Sequence, residues 1–77
     1  MLIEVFGPGC AKCQMLEKHA KQAVEQSGGS HEVVKISDYA AMAARGVLST
    51  PALALDGQLK FQGRVVSSDD ILALIKG

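Results

Sequence analysis

Residues 2–13 read LIEVFGPGCAKC, a short apolar run followed by a glycine-rich turn and two cysteines. The β-branched and aromatic residues of Leu2–Phe6 favour a strand, and the Gly-Pro-Gly that follows must form a turn or loop. Over Ala11–Ser27 apolar side chains recur at the spacing of one helical face. Cys10 and Cys13 therefore stand where a strand passes through a loop into a helix.

The spacing of the two cysteines predicts a reactive thiol. Two intervening residues on a first helical turn bring both sulfurs within bonding reach, and the first sulfur lies near unpaired backbone N–H groups and the positive end of the helix dipole. This field favours thiolate over thiol, and Lys12 adds a positive charge that acts in the same direction. We expect the more exposed Cys10 to attack a disulfide and Cys13, on the apolar face, to resolve the mixed disulfide. The alternative for such a pair is half of a metal site.

The rest of the chain supplies the other elements of an α/β fold. Strands and helices are predicted, in order, at residues 2–6 (β), 11–27 (α), 31–36 (β), 39–45 (α), 52–55 (β) and 58–62 (β), with a last helix after a capping sequence at 67–70. The first β-α-β unit demands a parallel pair with a right-handed crossover, and Asp56-Gly57 is a strong signal for an antiparallel hairpin. Near the end of the second helix, Arg45 complements the helix dipole.

Length and composition limit the possible functions. The 77 residues fit a single domain, residues 1–77, with eight acidic and eight basic side chains and 4% aromatic residues. Without a basic cluster or a stacking platform, nucleic acid is not an expected partner. No stretch approaches the roughly 20 apolar residues of a membrane span, and the first apolar run, broken by Glu4, does not fit a signal peptide. We expect a cytoplasmic monomer, and in that compartment a close cysteine pair is more often catalytic or metal-binding than structural.

These features together resemble the thioredoxin and glutaredoxin superfamily, above all the very small thioredoxin-like proteins called redox-active disulfide proteins. The matching residues are Cys10-Ala11-Lys12-Cys13 after the first strand, Thr50-Pro51 before the third and Gly63 after the fourth, and the resemblance covers nearly the whole chain. It implies a minimal thioredoxin fold, with a four-stranded mixed sheet in the order 2-1-3-4, helices on both faces, and the first and third helices on the same face. It also implies a redox-active Cys10–Cys13 disulfide without cofactor or metal, disulfide-containing protein substrates, and a flavoprotein of the thioredoxin-reductase type as electron donor.

The resemblance also assigns roles to four further residues. Pro51 should be cis, and the backbone of Thr50 should be free to pair with an extended substrate segment. Gly63 would let a substrate approach closely, although from the sequence alone a bulge glycine is an equally good reading. Glu4 lies six positions before Cys10, where thioredoxins carry a buried acid that takes the proton from the resolving cysteine. The other readings of Glu4 are a strand acid that reaches solvent or one that pairs with a lysine.

The sequence departs from ordinary thioredoxins around the cysteines and leaves one competing class of function. Gly-Pro-Gly stands before Cys10 where those proteins place Trp, and Ala-Lys replaces the usual Gly-Pro between the cysteines. Small copper chaperones also carry two cysteines between a first strand and a first helix, but their element order ends on a strand. With only two soft ligands, one chain cannot build a closed tetrahedral zinc site. We expect a protein-disulfide reductase, with a metal-binding module as the alternative; the intact cysteine pair argues against a non-catalytic adaptor.

Overall fold

In a computed structural model that describes residues 1–77, the chain forms four strands and three helices. The elements are, in order, β1 (Leu2–Phe6), α1 (Ala11–Ser27), β2 (Glu32–Ile36), α2 (Tyr39–Ala44), β3 (Ala52–Leu55), β4 (Gln58–Gln62) and α3 (Ser68–Lys76). This is the predicted order, and only the start of β2 and the end of α2 differ from the prediction, each by one residue. None of the three helices is both long and apolar enough to cross a bilayer.

The four strands form one mixed sheet in the order β2-β1-β3-β4. β1 runs parallel to β2 and antiparallel to β3, and β3 runs antiparallel to β4. The tight turn between β3 and β4 uses Asp56 and Gly57, which both have positive φ (49° and 85°), as a two-residue hairpin requires. Asp56 also accepts a 2.7 Å hydrogen bond from the backbone N–H of Leu2 and so ties the hairpin to β1. The predicted topology is confirmed.

Helices cover both faces of the sheet because side chains alternate along β1 and β3. One face carries the larger core, in which α1 and α3 pack on the strands; its buried members are Ile3, Val5, Leu16, Ala20, Ala23, Leu53, Leu55, Phe61 and Ile71. The other face carries a smaller core with Met42 from α2; its buried members are Phe6, Met42, Val47, Ala52 and Ala54. α1 and α3 therefore share one face and α2 lies on the other, as predicted.

The strand register brings the candidate site residues to one end of the sheet. Phe6 lies opposite Ala52 and beside Ile36, and Ala52 lies opposite Gln62. β1, β2 and β4 therefore finish at the edge where β3 begins. We call this edge the cysteine end, because the loop after β1 leads there into Cys10.

Candidate active site

Cys10 is the N-cap of α1. Its backbone is extended (φ −67°, ψ 168°), and its sulfur accepts a 3.3 Å hydrogen bond from the backbone N–H of Cys13. A side-chain acceptor at this position satisfies one of the N–H groups that a helix start leaves unpaired. The carbonyl of Cys10 meanwhile accepts the first helical bond from Gln14, at 2.9 Å. The exposed Cys10 sulfur thus lies at the amino end of a 17-residue helix, as the spacing predicts.

The surroundings of the two sulfurs shift their pKa values in opposite directions. The pKa of Cys10 is lowered, first by a hydrogen bond from the Cys13 thiol and then by the Cys13 backbone N–H. The pKa of Cys13 is raised, first by burial and then by its thiol's hydrogen bond to Cys10. Because Cys13 is only 2% exposed, its charged form would lose hydration that Cys10 keeps. Cys10 is therefore the thiol that ionises first.

The loop after β1 covers Cys13. Gly7 donates its N–H to the carbonyl of Ile36 at 2.9 Å. A Cβ at Gly7 would clash with the Cys13 sulfur and approach the Cys13 Cβ to 2.8 Å. Only a residue without a side chain lets the loop pass this close to the buried thiol. The loop therefore keeps Cys13 away from solvent and leaves Cys10 open.

The Thr50–Pro51 peptide bond is cis, as predicted, and Pro51 is buried. Because Pro51 precedes Ala52, which lies opposite Phe6, the register places it beside the loop that leads to Cys10. Gly63 has a φ of 79°, in the left-handed region, and donates its N–H to the carbonyl of Pro51 at 2.8 Å. A Cβ on Gly63 would come within 3.1 Å of the Ser49 Cβ. Gly63 thus permits a close approach within the chain itself, and its predicted role toward a substrate stays a prediction.

Glu4 is buried, and its partner is an arginine rather than a lysine. Its two carboxylate oxygens accept hydrogen bonds from the two terminal nitrogens of Arg45, both at 2.7 Å. The pKa of the Arg45 guanidinium is raised, first by this hydrogen bonding, and the guanidinium also lies 5.5 Å from the centre of the Phe6 ring. Glu4 shares with Phe6 the face covered by α2, whereas Cys13 belongs to α1 on the opposite face. The role of Glu4 as acceptor of the Cys13 proton stays a prediction.

Three residues at this end of the sheet take roles that the sequence pattern does not indicate. Arg45, expected to complement the helix dipole, holds Glu4. Lys35 places its ammonium 3.8 Å from where a Cβ on Gly9 would stand, beside the loop before Cys10. Gln62 binds backbone N–H groups of the segment before Pro51. Each contact depends on strand register or on the path of a loop, neither of which can be predicted from the local spacing of residues. Lys12, a candidate from the sequence, is exposed on the first turn of α1.

The metal-binding alternative finds no support in the arrangement of the elements. The chain ends on α3, whereas the copper-chaperone order ends on a strand. Nowhere in the chain do three or more His, Cys, Asp or Glu side chains come together as a possible metal site.

Comparisons with known proteins agree with this geometry. A family model described as Thioredoxin domain matches residues 1–76. Thioredoxin from Methanothermobacter thermautotrophicus is 43% identical over 75 residues, which cover 97% of this chain and 97% of that protein. Thioredoxin from Methanocaldococcus jannaschii is 36% identical over 76 residues, which cover 99% of this chain and 87% of that protein. A solved structure of thioredoxin-2, a component of malaria parasite protein secretion machinery, has a similar fold, with a TM-score of 0.75 at 22% identity over 97% of this chain and 80% of that chain.

Proposed function

Because the chain belongs to the thioredoxin family of thiol–disulfide oxidoreductases, we propose that its Cys10–Cys13 dithiol reduces disulfide bonds in other proteins. The observation that carries the proposal is the asymmetry between two neighbouring thiols. The exposed Cys10 caps α1 with a lowered pKa, whereas Cys13 is buried with a raised pKa. Since the thiolate is the nucleophile in disulfide exchange, this asymmetry supports Cys10 as the residue that attacks first.

The reaction proceeds in two exchanges. The Cys10 thiolate attacks one sulfur of the client disulfide and forms a mixed disulfide, and the other client sulfur leaves as a thiolate that takes up a proton. Cys13 then loses its proton and attacks the Cys10 sulfur, which forms the Cys10–Cys13 disulfide and releases the second client sulfur. Two electrons pass from the dithiol to the client, so the client is reduced and the dithiol is oxidised.

The local environment suits the second exchange as well as the first. Once Cys10 is part of a mixed disulfide it no longer bears a negative charge, so the coulombic effect by which Cys10 raises the pKa of Cys13 disappears. Cys13 then ionises more readily and lies within reach of the sulfur that it must attack. Lys12, exposed on the same turn, adds positive charge near the reacting sulfurs.

The client and the electron donor follow from the family at a general level. We infer that an extended client segment pairs with the exposed backbone of Thr50 beside Pro51, a form of strand addition, with Gly63 next to it. The oxidised protein must regain two electrons and two protons, and we propose a flavoprotein of the thioredoxin-reductase type as their source. A reducing compartment such as the cytoplasm is where this cycle would run.

A single-turnover experiment tests the proposal. The reduced protein is mixed with insulin in the absence of any donor, and the products are identified by intact mass. Wild type should reduce one disulfide per dithiol. Cys10→Ser should reduce none, and Cys13→Ser should accumulate a mixed disulfide through Cys10. Reduction by Cys10→Ser, or full release of product by Cys13→Ser, would contradict the assignment.

A further inference from the structure

The segment before Pro51, residues 47–50, is held in place at several points; we call it the pre-proline loop. At its start, Val47 is only 8% exposed and packs in the smaller core. The backbone N–H of Val47 donates to the carbonyl of Met42 at 2.9 Å. The loop therefore leaves the end of α2 in a fixed direction.

The end of β4 holds the rest of the pre-proline loop. The side-chain oxygen of Gln62 accepts hydrogen bonds from the backbone N–H groups of both Leu48 (2.7 Å) and Ser49 (3.0 Å). We call this pair of bonds the Gln62 clamp. Gly63 adds its own N–H bond to the carbonyl of Pro51 at 2.8 Å, and its missing Cβ lets Ser49 pack closely. Two backbone donors of the loop, those of Leu48 and Ser49, are thus turned toward β4.

Leu48 projects from this fixed backbone into solvent. It is 89% exposed, the highest value among the large hydrophobic side chains, and hydrogen bonds hold the backbone N–H groups of Val47 before it and Ser49 after it. Leu74, by comparison, is 37% exposed and lines a shallow groove with Met1 and Leu55, at the opposite end of the sheet. An isolated surface leucine needs no explanation, but one carried on a clamped loop has an ordered backbone already, so that covering it must order only the side chain.

We propose that Leu48, positioned by Gln62, is a specificity residue that contacts an apolar side chain flanking the disulfide of a client. The inference rests on the proposed reduction of protein disulfides. The loop ends at Thr50, whose backbone lies beside the path to Cys10, so a client segment bound there passes next to Leu48. Because the contact involves only flanking residues, it changes how well a client binds and leaves the sulfur chemistry to the two cysteines.

Two peptides of equal length test this inference in single turnover, each carrying one cysteine as a mixed disulfide with 5-thio-2-nitrobenzoate. One peptide has leucine on both sides of the cysteine and the other has aspartate. Each rate constant is divided by the rate constant for glutathione disulfide measured with the same variant. For wild type we expect this normalised rate to favour the leucine peptide by about tenfold, the lower end of what one apolar group contributes to discrimination.

Leu48→Ala is expected to remove most of that preference by lowering the normalised rate of the leucine peptide alone. Leu74→Ala is the matched control, a partly exposed leucine at the opposite end of the sheet, and should change neither rate. An unchanged preference in Leu48→Ala would overturn the inference. An equal loss with both peptides would also overturn it, since that would indicate an effect on the fold rather than on recognition.

The clamp is tested at Gln62 itself. Gln62→Leu removes the acceptor and should reduce the preference, whereas Gln62→Glu keeps an oxygen acceptor and should retain it. Gln58→Leu, at the other end of β4, is the control for the change in polarity. A preference that survives Gln62→Leu would remove Gln62 from the proposal. Failure of the reduced wild type to reduce insulin would contradict the proposed function itself, a result distinct from reaction without discrimination between the peptides.

Discussion

The sulfur atom of Cys10 is both the N-cap of α1 and the proposed nucleophile. The side chain that caps α1 is also the group whose lowered pKa suits nucleophilic attack. A thiolate accepts the Cys13 N–H more strongly than a thiol does, so capping and ionisation reinforce each other. Cys13 supplies the two largest contributions that lower the pKa of Cys10, through its thiol and its backbone N–H, and is the proposed resolving group as well.

Arg45 should matter for stability because it neutralises a buried carboxylate. Arg45→Met leaves Glu4 buried without its two hydrogen bonds, and an unpaired buried charge is strongly destabilising. We expect a clear loss in urea-unfolding free energy, largely recovered in the double variant Glu4→Leu/Arg45→Met. Arg64→Met is the matched control, since Arg64 lies at a similar 5.6 Å from an aromatic ring but holds no carboxylate. An equal effect of the two single substitutions would contradict this account of Arg45.

Glu4 also allows a direct test of the proton acceptor. Both of its oxygens are engaged by Arg45, and its side chain lies on the face of the sheet opposite α1. From this placement we expect, contrary to the role that the family resemblance implies for Glu4, that Glu4→Gln lowers stability while the rate at which Cys13 resolves a preformed mixed disulfide stays unchanged. Stopped-flow release of the thiol measures that rate. A markedly slower release at neutral pH would establish Glu4 as the acceptor after all.

Among the elements, the loop between β1 and α1 sets the geometry of the site. The loop closes over the first turn of α1 because Gly7 has no side chain to strike Cys13. The same β1–α1 junction brings the Cys10 sulfur to the helix start and buries the Cys13 sulfur beneath the loop. The position of the end of β1 relative to the start of α1 therefore makes the two thiols differ in exposure.

Gly7→Ala should disturb this junction. The added methyl group would overlap the Cys13 side chain, and overpacking of this kind costs roughly 1–3 kcal/mol. Thermal unfolding should show the loss, and alkylation should show a more accessible Cys13, because the loop must move away. Wild-type stability together with an unreactive Cys13 would show that the loop does not cover that thiol as described.

For the molecule as a whole, the sequence predicts the elements and their arrangement well, and the side-chain contacts between elements poorly. Asp56-Gly57 identifies the hairpin, and the cysteine spacing identifies the start of α1, because these signals are local. The pairing of Glu4 with Arg45 joins residues 41 positions apart in the sequence. The Gln62 clamp likewise depends on where β4 ends relative to the pre-proline loop. Such contacts follow from strand register and from the path of the loops, which cannot be predicted from the sequence of a single element.

The small size of the molecule makes it sensitive to a single core change. Only 18 of 77 residues are buried, and a domain of this length has a small margin of stability. Ile71 is the fully buried residue of α3 and belongs to the larger core. Ile71→Ala should cost about 2–5 kcal/mol, and each kcal/mol should lower the Tm by roughly 4–8 °C. A loss under about 1 kcal/mol in calorimetry would mean that α3 contributes little to the core.

The central claim is that Cys13 and the start of α1 hold the Cys10 sulfur as an anion, and the pH dependence of alkylation tests it most directly. Only the thiolate reacts, so a lowered pKa moves the rise in rate to lower pH. Alkylation of Cys10 by iodoacetamide, located by mass spectrometry, should reach half its maximum at a clearly lower pH in the folded protein than in the urea-unfolded chain. Cys13→Ser, which keeps a hydroxyl donor, should retain most of this shift, and Cys13→Ala should lose part of it. Coincident midpoints for the folded and unfolded protein would contradict the account.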